Sequence, residues 1–75
     1  MNSEVNWVSV FATNVLQKRR QMGMSQEELS HRVGVDVRYL GGIERAQRNP
    51  SLKVITSIAV ALDTTPSALL TNAAS

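Results

Sequence analysis

Two short capped helices joined by a tight glycine turn are written into residues 25–45, Ser25-Gln-Glu-Glu-Leu-Ser-His-Arg-Val-Gly-Val-Asp-Val-Arg-Tyr-Leu-Gly-Gly-Ile-Glu-Arg45. Ser25 is a good N-cap, and Glu28, three residues on, completes the pattern of a capping box. Gly34 falls where the first of these helices must stop, and only glycine turns cheaply through positive φ. Asp36 then caps the second helix. Leu29, Val33, Leu40 and Ile43 are spaced to bury the inner faces of both helices against a shared core. The segment therefore reads as a helix-turn-helix, with Gln26, Val37, Arg38, Tyr39 and Gly42 left on its outer side.

The flanking sequence supplies the rest of a helical domain. From about Asn6 to Met22 the apolar residues Val8, Phe11, Ala12, Val15 and Met22 fall on one helical stripe, and Gly23 follows as a C-terminal stop. Arg19 lies on the same stripe, so a cation is directed toward the core and needs a partner. The two motif helices are predicted over Gln26 to Val33 and Val37 to Arg45. Ala46 to Pro50 reads as a loop, and Ser51 caps a fourth helix to Leu62. That helix points Leu52, Ile55, Ile58, Ala59 and Leu62 inward and leaves Val54 and Val60 as spare apolar residues. Thr65 and Pro66 then start a short fifth helix, Ser67 to about Thr71, carrying Leu69 and Leu70. Asn72 to Ser75 reads as a frayed tail. With no strand alternation, repeat or low-complexity tract, residues 1–75 are expected to form a single all-α, five-helix domain.

Composition narrows the class. At 75 residues the chain is near the lower limit for a self-sufficient core. Without cysteine it has no disulfides or thiolate metal sites, so stability must come from helix packing, extended by a subunit interface. No apolar run approaches the roughly 20 residues needed to span a bilayer, and no signal peptide is evident, which suggests a cytoplasmic protein. One histidine, no cysteine and no clustered carboxylate pair leave no constellation for nucleophilic, metal or acid-base catalysis. His31 reads as a surface residue. Net charge is only +2, but all eight basic residues lie between Lys18 and Lys53, and only Glu4 and Asp63 carry charge outside that stretch. Such a middle either faces phosphates or is a solvated surface.

With these residues in view, the chain resembles the phage-repressor-like, Xre-type family of helix-turn-helix domains. Met24-Ser-Gln-Glu-Glu-Leu-Ser30 looks like the family's second helix, Gly41-Gly-Ile-Glu-Arg45 like the end of its recognition helix, and Arg48-Asn-Pro-Ser-Leu52 like its following loop. A closer likeness is to the controller proteins of restriction-modification systems, through Asp36, Tyr39, Gly42 to Arg45, Arg48 and Asn49. The sequence departs from that pattern at Val37, where controllers often carry arginine, and at Ser30, where a smaller alanine is usual. The resemblance implies a sequence-specific transcriptional regulator, a homodimer on a near-palindromic operator, with double-stranded DNA, a second copy and RNA polymerase as partners and with no cofactor.

Within that reading, Arg38 can place its guanidinium on the O6 and N7 acceptors of a guanine, or contact a phosphate instead. Val37 can pack on a thymine methyl or serve as a partly buried packing residue. Gly41 and Gly42 each cost roughly 1 kcal/mol inside a helix relative to alanine. Close approach of DNA or of a neighbouring helix would offset that, which makes Gly42 a candidate at the base edges. Gln26, Tyr39 and Asn49 resemble the family's backbone-contact set, and Arg48 joins them as a phosphate or minor-groove contact. Glu44 lies at a position that pairs in the family with an arginine of the first helix, which points to Arg19. Trp7 and Phe11 are expected as core or interface anchors, and Val60, Leu69 and Leu70 as the dimer interface. The competing readings are a protein-interaction adaptor of the same fold, using the spare apolar surface without reading DNA, and a phage or plasmid repressor or antitoxin.

Overall fold

The computed structural model describes residues 5–72. Five helices follow in order, α1 (Trp7–Gln21), α2 (Gln26–Val33), α3 (Val37–Glu44), α4 (Leu52–Ala61) and α5 (Pro66–Leu69), with no strand among the described residues. Every helix opens on a side-chain cap, respectively Asn6, Ser25, Asp36, Ser51 and Thr65. Each cap accepts a hydrogen bond from an otherwise unpaired N–H of the first turn. Ser25 Oγ accepts from Glu28 N at 3.0 Å. The Glu28 carboxylate, however, accepts from Arg32 Nη2 at 2.9 Å. The second half of the expected capping box is thus replaced by an ion pair one turn along α2.

The first four helices end on a left-handed residue. Gly23 at φ +70° follows α1 and Gly34 at φ +86° ends α2, the latter providing the sharp reversal that sets α3 across α2. After α3 and α4 the corresponding left-handed positions are Ala46 at φ +60° and Asp63 at φ +55°. Ala46 N donates to Ile43 O and Gln47 N to Gly42 O, while Asp63 N donates to Val60 O and Thr64 N to Ala59 O. These are the paired bonds of a Schellman end, made here without glycine.

α1 packs on α3 and α5, α2 on α3 and α4, and α4 on α5. Phe11, Val15, Met24, Leu29, Leu40, Ile43, Ile58, Ala59, Leu62 and Leu69 form one core. Ser30 is buried with them, its hydroxyl donating to Glu27 O at 2.9 Å, so a small polar residue sits at the crossing without an unpaired group. Asn14 ties down α5 by donating from Nδ2 to the carbonyls of Leu69 and Thr71.

Several sequence expectations are corrected. Leu69 is 3% exposed and belongs to the core, because α5 folds back between α1 and α4. It has no surface to offer a dimer. Met22 caps α1 and points to solvent, while Met24, past the glycine turn, fills the core place expected of it. On α4 the covered face takes in Val54 and leaves out Leu52. Val54 packs against the core and Leu52 is 72% exposed. At about 100° per residue Val54 and Leu52 lie on opposite flanks of the face set by Ile55, Ile58, Ala59 and Leu62, and it is the Val54 flank that the neighbouring elements cover. Phe11 is buried but Trp7 is half exposed. The tail expected at 72–75 lies, from residue 73 on, outside the described residues.

Candidate nucleic-acid interface

The outer side of α3 is held by charges buried on its inner side. Arg19, carried inward by the α1 stripe, donates from Nε to Glu44 Oε2 at 2.7 Å and from Nη2 to Glu44 Oε1 at 3.0 Å. Its remaining terminal nitrogen, Nη1, donates to the Met24 carbonyl at 2.8 Å. Both charged residues are 8% exposed. The fork of the guanidinium therefore joins the C-terminal end of α3 to α1 and to the turn before α2. Gln26 completes the arrangement, with Nε2 donating to Glu44 Oε1 at 2.8 Å. Sequence reasoning placed Gln26 on the outer surface; it is half-buried because this carboxylate draws its amide inward. Among the described residues no buried side-chain polar atom lacks a partner.

At the other end of α3, Asp36 Oδ1 accepts from Arg38 N at 2.7 Å, which fixes the backbone and leaves the Arg38 side chain directed outward. Val37 beside it is 36% exposed. Tyr39 is half-buried with its ring packed against the core, and Leu40 is fully buried. The first turn of α3 thus presents Val37 and Arg38 together.

One turn further on, Gly41 and Gly42 are closely approached, as their cost in a helix requires, but Gly42 does not present the open surface expected of a base contact. Both are buried. A Cβ on Gly42 would lie 2.7 Å from Arg48 Cγ, and one on Gly41 would lie 3.1 Å from Arg45 Nη1 and 3.8 Å from Gln26 Oε1. What covers the two glycines is the chain's own arginines. Gly42 therefore offers no surface to a base, and the group standing in its place is Arg48, which is exposed. Arg45 Nε also donates to Gln47 Oε1 at 3.2 Å. Nothing in the residue pattern of 41–48 signalled this folding-back, which depends on the turn after α3.

Asn49 is exposed beside Pro50 at the rim of a small cleft lined also by Trp7, Val8, Phe11, Ile55 and Leu70, with no charged side chain. Val60, 79% exposed, lines a separate cleft with Arg32, Val33, Thr56 and Ser57. Leu70 and Val60, paired in the sequence reading, thus border different depressions. Among the described residues no group of side chains is arranged to hold a metal ion, and no helix is long and apolar enough to cross a membrane.

Two capped helices crossing at a left-handed glycine, the second anchored from beneath and bearing an exposed basic first turn, define a helix-turn-helix domain. The sequence matches the helix-turn-helix family over residues 15–69, and the chain belongs to that family. It is 38% identical over 50 residues to y4dJ, an uncharacterised HTH-type transcriptional regulator of Sinorhizobium fredii, a match covering 67% of this chain and 65% of that one. The chain so spans just under two thirds of that relative's length. Its structure is similar to that of the restriction-modification controller protein C.AhdI from Aeromonas hydrophila, with a TM-score of 0.80, 42% identity, and coverage of 83% of this chain and 94% of the other. It is also similar to the controller protein C.Esp1396I, solved as a tetramer in complex with its natural 35 base-pair operator, with a TM-score of 0.78, 29% identity, and coverage of 88% and 87%.

Proposed function

We propose that this chain is a sequence-specific DNA-binding transcriptional regulator of the restriction-modification controller type, acting as a homodimer on a near-palindromic operator. The observation that carries the reading is the first turn of α3, where Val37 and Arg38 stand outward on a helix locked to the domain by the Arg19–Glu44–Gln26 network. A recognition helix enters the major groove with its N-terminal residues on the base edges. Arg38 is then the guanine-reading group and Val37 the apolar contact to a thymine methyl. Gln26, Tyr39, Arg48 and Asn49 are the candidate backbone contacts that fix register, Asn49 from the rim of the cleft it shares with Trp7.

The second copy docks on the apolar side of α4 and α5. Trp7 is exposed and lines the uncharged cleft that reaches Leu70, and Leu52 is exposed one turn before Ile55 of that cleft. Val60 lies on the same helical row as Leu52 through Thr56, at the edge of this surface. Leu69 takes no part. The same reading makes the chain a cytoplasmic protein with RNA polymerase as a further partner, and it assigns no catalytic step. The test is selection of bound sequences from a randomised duplex pool, followed by sedimentation of the protein with and without the selected DNA. An enriched inverted repeat bound by two copies is the expected result. Recovery of unenriched sequence, with affinity that depends only on salt, would contradict it.

A further inference from the structure

We infer that Gly42 is a positioning residue for DNA binding, an empty place on the recognition helix that seats the Arg48 side chain among the groups facing the duplex. The inference rests on the DNA-binding reading above. Residues 38 and 42 are one turn apart on α3 and share a face, so Gly42 lies directly behind Arg38 on the outward row. The helix itself presents no side chain there. The turn after α3 returns the chain to this spot, because Gln47 N donates to Gly42 O at 2.8 Å and so places the next residue, Arg48, alongside. Arg48 Cγ then lies 2.7 Å from where a Cβ of residue 42 would stand. That distance is closer than two carbons can approach without displacement, and Cγ is near the root of the side chain, so a swing of the guanidinium alone cannot relieve it. Gly41 provides the contrast. Its only close neighbour is Arg45 Nη1 at 3.1 Å, the far end of a flexible side chain that can move away.

The consequence is that the second cation on this row, behind Arg38 of the helix, comes from the loop. A residue with a side chain at position 42 would expel Arg48 from the row and remove one charge from the surface that meets phosphates. The loss is electrostatic. It is read as a change in the salt dependence of binding, whose slope falls by about 0.9 for each phosphate contact removed.

The experiment uses the parent protein, Gly42→Ala, Arg48→Ala, the double variant and Gly41→Ala. Each is titrated by fluorescence anisotropy into mixed-sequence duplex DNA of about three helical turns, at several salt concentrations, and each is melted thermally. Gly42→Ala and Arg48→Ala are expected to weaken binding several-fold, with the slope shallower by about 0.9 in both, and the double variant to bind no more weakly than either alone. Thermal stability should change sign with background: Gly42→Ala lowers the melting temperature when Arg48 is present and raises it in the Arg48→Ala protein, where the clash is gone and alanine is the better helix former. Gly41→Ala should melt no lower than the parent.

Parent-like affinity and slope in a folded Gly42→Ala protein, or losses that add in the double variant, would overturn the inference. Should Gly42→Ala fail to fold alone, the double variant decides: a folded protein binding like Arg48→Ala supports the seat, and an unfolded one overturns it. Failure of the parent to bind duplex DNA at all would instead overturn the regulator reading, and this inference with it.

Discussion

Ala46 holds a left-handed backbone at φ +60° so that the chain can close the end of α3 and turn toward Arg48. An L-residue with a Cβ pays about 1 to 2 kcal/mol for that conformation, part of which glycine returns through its greater freedom in the unfolded chain. Ala46→Gly should therefore raise stability by about 0.5 to 1 kcal/mol, seen as a higher melting temperature with DNA binding unchanged. A lower melting temperature would mean that the methyl group makes a compensating contact. Arg38 poses the complementary case, in which folding is untouched and recognition changes. Its backbone N–H, and not its side chain, serves the Asp36 cap. Arg38→Ala should thus melt like the parent, yet lose about 1 to 3 kcal/mol on the selected operator and relax preference at one base position. Equal weakening on all sequences would make Arg38 a phosphate contact.

At the scale of helices, the critical joint is the one between α1 and the end of α3. Two charges of 8% exposure are tolerable because Glu44 accepts three hydrogen bonds, two from Arg19 and one from Gln26, while Arg19 also serves the Met24 carbonyl. Removing one partner of such a pair costs about 3 to 5 kcal/mol by stranding the other charge. Arg19→Met should fall at the lower end of that range, since Gln26 still donates to Glu44, and the loss of stability should bring a loss of DNA binding with it. Adding Glu44→Leu removes the stranded carboxylate and should recover much of the stability. The recovery stays incomplete because the Met24 carbonyl has lost its donor. Thermal unfolding of the two single variants and the double one measures the coupling, and additive losses would show that the pair does not act as a unit.

At the scale of the whole molecule a second copy has to be bound without covering the recognition helix, and no residue of α3 lines the cleft between Trp7 and Leu70. Reading two half-sites about one DNA turn apart requires a twofold-related partner. Leu52 is the informative position for testing it, being 72% exposed and first in α4, where an acidic side chain suits the helix N-terminus. Leu52→Asp should leave the melting curve of the protomer intact, shift sedimentation toward monomer and weaken operator binding. Leu69→Asp should do something different. With the side chain 3% exposed, it should unfold the domain, at a cost of several kcal/mol. A Leu52→Asp protein that remains dimeric would move the interface elsewhere, with the Val60 cleft the next place to look.

Much of this architecture was legible from residues alone. Caps and stops at Ser25, Gly34, Asp36, Ser51, Thr65 and Pro66 are local chemistry, so the order and bounds of the five helices follow from sequence to within a residue or two. The periodicity of α1 also directed Arg19 inward, and the resemblance to a known family singled out Glu44 as its partner. What only the tertiary structure decided are relations between segments distant in sequence or linked through a turn. Leu69 became core and Leu52 surface because the docking of α5 and the rotation of α4 depend on which neighbours cover them. Gln26 joined the buried carboxylate because α2 crosses the end of α3. Gly42, taken for a base contact, lies beneath Arg48 because a left-handed alanine returns the chain over it. A pattern along one helix specifies which side is apolar, and a pair such as Gly41-Gly42 marks a place where something approaches closely; which side chain fills that place depends on three-dimensional closure, and the sequence of the helix does not name it.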